Sequence, residues 1–147
     1  MSRLKNVDYK MFAEAYKMAM TSDFPAFKIG CVLSYKGHII GRGCNMNKTT
    51  PIQKKYNRYR QFNKGNKPIR HTGHAEIRAI HSVPYTVAQE VDWKKVKIYV
   101  YRISPGKQFG HGLARPCDAC RAFIKEKGIR EIFYTTDDGY AMERIEY

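Results

Sequence analysis

Apolar residues recur along this chain at two different spacings, and the switches between them divide it into elements. Phe12, Ala15, Tyr16 and Ala19 fall at i, i+3, i+4 and i+7, which predicts one apolar face of a helix running to about Met20, with Asn6 or Asp8 as its cap. Residues 27–35, rich in Ile, Val and Phe, predict a strand. Lys36-Gly37 reads as a tight turn into a second strand over 38–43, so the pair forms a β-hairpin. The pattern then breaks into a long polar stretch. It resumes at Gly73, where Ala75, Ile77, Ala79 and Ile80 predict a helix ending before Pro84. Residues 97–103 predict a third strand, alternating Ile98, Val100 and, less cleanly, Arg102. A Gly-rich loop over 105–112 leads to Arg115-Pro116-Cys117. Residues 117–127 predict a helix, with Gly128 after its end, where a left-handed conformation is easy for glycine. Residues 131–135 predict a fourth strand and 140–147 a terminal helical turn.

The order α-β-β-α-β-α-β predicts an α/β fold, a mixed central sheet with helices on its faces. The 147 residues suit one domain over 1–147, with one insertion at about 48–70. At 43% hydrophobic and 27% charged, the composition is that of a globular protein rather than a disordered one. No run approaches the roughly 18 to 20 apolar residues of a membrane span, and the opening residues lack the apolar stretch of a secretory signal. A cytoplasmic protein with no membrane contact is expected. In that reducing setting Cys31, Cys44, Cys117 and Cys120 read as metal ligands or buried thiols rather than a disulfide framework.

The formal charge of +14 changes this picture because it is local. Lys48, Lys54, Lys55, Arg58, Arg60, Lys64, Lys67 and Arg70 fall in one acid-free stretch, whereas 131–147 carries Glu131, Asp137, Asp138, Glu143 and Glu146 against Arg144. Such a stretch is either the footprint of an acidic partner or a solvated face.

Two motifs carry chemistry, His74-Ala75-Glu76 and Pro116-Cys117-Asp118-Ala119-Cys120, and each starts a predicted helix. There free backbone N–H groups and the helix dipole favour anionic sulfur. One His and two Cys give zinc three ligands and leave its fourth tetrahedral position for water, as in a catalytic site. Glu76, two residues beyond His74, is placed to handle that water's proton. A redox Cys-x-x-Cys would follow the first strand of a βαβ unit, whereas this one comes late. Cys31 reads as a small apolar strand residue, Cys44 is a remote candidate for a fourth ligand, and His71 is the one plausible substitute for His74.

With these residues in hand, the chain resembles the zinc-dependent cytidine/deoxycytidylate deaminase superfamily, whose signature is His-x-Glu followed by Pro-Cys-x-x-Cys. The hairpin from Lys28 to Asn45 is similar to the family's first two strands, Lys97-Ile-Tyr-Val-Tyr101 to its third, and the whole to small phage-encoded members. The resemblance implies a three-layer α/β/α cytidine-deaminase-like fold, zinc (Zn2+) on His74, Cys117 and Cys120, and Glu76 as the catalytic proton carrier. It also implies hydrolytic deamination of a cytosine ring, with substrate contacts at Asn45 and Ala75, and a homo-oligomer. Two features depart from the family pattern. Arg115 stands where Ser or Glu is common, so a cation there meets a phosphate, and the basic insertion precedes His74.

Three readings of the substrate follow. The first is a free nucleotide, dCMP or CMP. The second is cytosine or adenine within single-stranded DNA or RNA, including tRNA, because Tyr56, Tyr59 and Phe62 interleave with Lys54, Lys55, Arg58 and Arg60 as stacking rings and phosphate partners do. The same rings also fit the buried stripe of a short extra helix. The third is a non-catalytic, zinc-containing nucleic-acid-binding module, against which Glu76 argues.

Overall fold

The computed structural model describes residues 4–24, 27–46 and 74–145. Lys54, Lys55, Arg58, Arg60 and His71 lie outside the described residues. The elements in chain order are α1 (Asn6–Ala19), β1 (Lys28–Tyr35), β2 (His38–Cys44), α2 (Ala75–His81), α3 (Tyr85–Glu90), a 3₁₀ turn (Trp93–Lys95), β3 (Lys97–Ile103), β4 (His111–Gly112), α4 (Asp118–Lys127), β5 (Glu131–Thr135) and β6 (Tyr140–Arg144). The strands form one six-stranded sheet in the order β2-β1-β3-β5-β6, with β4 paired to β3. β3 and β5 are parallel, which requires the crossover that α4 supplies; the other pairs are antiparallel.

The hairpin forms as the sequence predicts, because Lys36 and Gly37 both take positive φ (51° and 83°), the twist that joins adjacent antiparallel strands directly. α1 starts with Asp8 Oδ2 accepting from the Lys5 amide at 2.8 Å. The expected cap residue therefore closes the helix from inside its first turn, and Asn6 is helical. Asp8 is buried, and its other oxygen accepts the Tyr99 hydroxyl at 2.5 Å, so the carboxylate is not left unpaired across the sheet. α4 stops at Gly128, φ 99°, as expected.

Period-2 alternation divides the sheet between two cores. Cys31 and Leu33 of β1, Ile98 and Val100 of β3, and Ile132 and Tyr134 of β5 pack with α2 and α4. Val32, Tyr99 and Phe133 face the other way, against Met11, Phe12 and Ala15 of α1. Helices on both faces of a mixed sheet make the three-layer α/β/α arrangement. Among the described residues, no helix is long and apolar enough to cross a membrane.

One expectation is corrected. The tail is not a helical turn: 140–144 forms β6, antiparallel to β5 with Tyr140 opposite Thr135 and Arg144 opposite Glu131. Its residues serve alternate faces, Ala141 packing on the α2/α4 core and Met142 on the α1 core, a two-residue period that a helix cannot deliver. α3 and β4 were not expected. α3 buries none of its residues, so it leaves no clear apolar stripe to read.

Glycines bed the helices on the sheet. A Cβ at Gly30 would lie 2.1 Å from the Ala15 carbonyl oxygen and 2.3 Å from the Ala19 amide nitrogen, both backbone of α1. On the opposite face, a Cβ at Gly43 would lie 2.5 Å from the Ala79 nitrogen and 2.7 Å from the Ala75 carbonyl oxygen of α2. Gly30→Ala must lift α1 and is expected to cost about 3 kcal/mol, the upper range for overpacking. Gly106→Ala, which meets no atom within 4 Å, should change stability by under about 0.5 kcal/mol. Urea midpoints at fixed zinc concentration measure both; equal midpoints would contradict this packing.

Candidate metal centre and active site

The bed at Gly43 decides where α2 begins. With Ala75 held over Gly43, His74 projects beyond the carboxyl end of β2. That end of the sheet also carries the start of β1, the carboxyl ends of β3 and β5, and the loop that enters α4. His74 and Cys117 are the extended residues that precede α2 and α4 respectively. The two helices thus point their free N–H groups at one place.

There the two motifs meet. His74 Nδ1 lies 3.3 Å from Cys120 Sγ and 3.4 Å from Cys117 Sγ, and the ligand atoms of all three residues fall within 4.8 Å of one another. Zinc–sulfur and zinc–nitrogen bonds of 2.3 and about 2.05 Å at a tetrahedral angle put N and S about 3.6 Å apart, so this donor set fits zinc with little movement. The Cys117 thiol is pushed down to about 3, first by the hydrogen bond from Cys120, with burial opposing and His74 adding to the effect. Burial holds the Cys120 thiol up instead, and Cys117 beside it adds to this.

Glu76, in the first turn of α2, is 5% exposed. Burial raises its pKa, His74 opposes that rise, and Cys117 reinforces it. It also faces the Cys120 thiol. Behind it Cys31, fully buried, is held protonated by burial and by Glu76. It serves as a small apolar residue, as the sequence suggests. Cys44 accepts a hydrogen bond from Thr21 Oγ1 at 3.4 Å and stands outside the metal-ligand group.

The three residues expected at the substrate have different surroundings. Asn45 is buried; its Oδ1 accepts from the Ile29 amide at 2.8 Å and the Ser22 hydroxyl at 2.6 Å, and its Nδ2 donates to the Phe27 carbonyl at 3.0 Å. This ties β2 to the start of β1 and leaves one amide hydrogen. Ala75 is buried in the core, with its N–H among the free donors of the first helical turn. Arg115 donates from Nε to Glu143 Oε1 at 2.9 Å, while Arg121 Nη1 donates to the other oxygen of Glu143 at 2.8 Å. Glu143 belongs to β6, so the strand not foreseen braces the loop into Cys117.

By the alternation of β3, Arg102 shares the face of Ile98 and Val100, and it stands at the carboxyl end of the strand. Its signal was the break in the alternation of that strand, a cation where an apolar residue is due.

Residues 5–136 match the family model described as the cytidine and deoxycytidylate deaminase zinc-binding region. No curated protein matches the chain. Among solved structures, cytidine deaminase from Burkholderia pseudomallei has a TM-score of 0.60 at 19% identity, covering 96% of this chain and 93% of its own. Apo dCMP deaminase from the cyanophage S-TIM5 has a TM-score of 0.55 at 16% identity, covering 90% and 86%. The same cyanophage enzyme in complex with dCMP and dUMP has 0.56 at 14%, covering 91% and 85%. Likeness at these identities concerns the fold.

The purified protein is expected to hold about one zinc per chain. His74→Ala, Cys117→Ala and Cys120→Ala should each lose it, and Cys44→Ala should keep it, by elemental analysis after dialysis. Full zinc in Cys120→Ala would contradict the assignment.

Proposed function

The chain belongs to the cytidine and deoxycytidylate deaminase family and is a zinc-dependent hydrolytic deaminase, and we propose that its substrate is a cytosine base in a free nucleotide, dCMP or CMP, converted to the uracil nucleotide and ammonia. The observation that carries this reading is the meeting of His74, Cys117 and Cys120 within 4.8 Å, with buried Glu76 in the first turn of α2 beside them. The cyanophage enzyme that shares the fold was solved with dCMP and dUMP, which supports a mononucleotide here.

His74, Cys117 and Cys120 would hold the zinc, which would supply a Lewis acid that brings the pKa of a bound water towards neutrality. Glu76 accepts a proton from the attacking water as the C4–O bond forms and delivers it to the ring nitrogen N3; it then takes the remaining proton of the new C4 hydroxyl and gives it to the amine, so the C4–N bond breaks, ammonia leaves and the C4 carbonyl of uracil remains. Burial suits it to that work, since a carboxylate whose pKa is raised is a stronger base towards water than an exposed one. The free N–H of Ala75 meets the ring carbonyl, and the remaining Nδ2 hydrogen of Asn45 meets the sugar. Arg115, engaged with Glu143, keeps Cys117 in place.

The second reading, deamination within a single strand, rests on the acid-free run of Lys54, Lys55, Arg58 and Arg60 interleaved with Tyr56, Tyr59 and Phe62. Ammonia release from dCMP, CMP, cytidine and a cytosine oligonucleotide separates the two. Turnover of dCMP or CMP is expected, and turnover of the oligonucleotide alone would overturn the proposal. Reversing the charge of those four residues should lower affinity for an oligonucleotide, and flatten its dependence on salt, with mononucleotide turnover retained. Glu76→Gln should keep zinc and lose at least about 10²-fold in kcat; an active Glu76→Gln enzyme would refute its role.

A further inference from the structure

We propose that Arg102 binds the phosphate of the substrate and so makes this enzyme selective for a phosphorylated cytosine over the bare nucleoside. This rests on the deaminase reading above.

The strand pattern comes first. β3 is apolar on the face it shares with α2 and α4 up to Val100, and Arg102 is the next residue on that face. It lies opposite Ile29 in the register with β1, at the end of the sheet where His74 and Cys117 begin their helices. A cation on the core-facing side of a strand violates the sequence pattern, and such violations are tolerated where function requires them.

The surroundings of the guanidinium come second. Its carbon sits over the Phe27 ring, 4.6 Å from the centroid, a cation–π contact. Its Nε is buried and has no hydrogen-bond partner, and among the described residues no carboxylate pairs with it. Nor does the undescribed run 47–73 offer one, since it contains no Asp or Glu. Neighbouring cations are engaged: Arg115 and Arg121 with Glu143, Lys107 with Asp137 at 3.2 Å, and Lys28 with the Ser22 carbonyl at 2.8 Å.

A half-desolvated guanidinium held by a ring, with no carboxylate partner among the described residues, is poised for an anion that arrives with the ligand. Leaving a buried donor unmade costs more than making the bond returns, so the site gains by filling. The planar fork of arginine matches two phosphate oxygens, which a lysine point charge does not. The phosphate could be the monoester of a mononucleotide or a diester within a strand, and the test separates them.

Zinc-loaded wild type and Arg102→Met are titrated calorimetrically with dUMP, deoxyuridine and a short deoxyuridine oligonucleotide, ligands that need no turnover. Zinc content and thermal midpoint confirm that the variant is folded, and Arg102→Lys provides a second, more conservative variant. Wild type is expected to bind dUMP about 100-fold tighter than deoxyuridine, a ratio that Arg102→Met lowers at least about tenfold and Arg102→Lys lowers less. A loss confined to the oligonucleotide assigns the phosphate to a strand. Equal loss for dUMP and deoxyuridine, no loss for any ligand, or no preference for dUMP in the wild type overturns the proposal. Ammonia release is read separately. Binding of dUMP through Arg102 without turnover of dCMP defeats the reaction proposed above and leaves Arg102 its phosphate. Turnover of dCMP that Arg102→Met does not impair does the reverse.

Discussion

The close approach of α2 to β2 is the constraint on which the site depends. Gly41 and Gly43 lie where a Cβ would come within 2.5 Å of the backbone of Ala79, so the helix axis rests nearly on the strand. At that distance a shift of α2 along the sheet is blocked by its own backbone, and the position of its first residue is set. His74 then stands against the sulfurs of Cys117 and Cys120 rather than a turn away. The second helix is fixed from another direction, by the parallel crossover from β3 to β5 and by the bridge from Glu143 to Arg115 and Arg121. Two helix starts held independently converge on one point, which is how a chain of this length assembles a three-residue ligand set from distant motifs.

The same arrangement sets the electrostatics. Two helix N-termini point at the site, and Glu76 is buried beside them; burial raises its pKa, His74 opposes the rise and Cys117 reinforces it. Arg115 and Arg121 are paired with Glu143, and Lys107 with Asp137. Arg102 has no carboxylate partner among the described residues, and its place on the strand follows from the period of the sheet.

The ligands and the carboxylate were legible in the sequence because each motif is short, local and tied to a helix start. His74-Ala75-Glu76 and Cys117 to Cys120 need no tertiary knowledge to be read. The hairpin at Lys36-Gly37 and the stop at Gly128 were legible for the same reason, since each depends on the backbone freedom of one or two residues. What could not be read was set by packing. β6 has a five-residue run with a charged end, and only its pairing with β5 shows it to be a strand. Arg115 looked available until Glu143, on that strand, came within 2.9 Å. Asn45 could be read as a substrate contact or a turn residue, and its bonds to Ile29, Ser22 and Phe27 arise only once the hairpin lies beside the loop before it. Arg102 was visible as a flaw in an alternation and acquired a meaning only when its face and its contact with Phe27 were known.

The central claim is that one His and two Cys from two helix starts form an open zinc site. X-ray absorption at the zinc edge of the purified protein tests it most directly, because it counts sulfur and lighter ligands without reference to activity. The account predicts two sulfurs at about 2.3 Å and two nitrogen or oxygen neighbours at about 2.0–2.1 Å, one of them exchangeable. A shell of three or four sulfurs, drawing in Cys44 or Cys31, would contradict it.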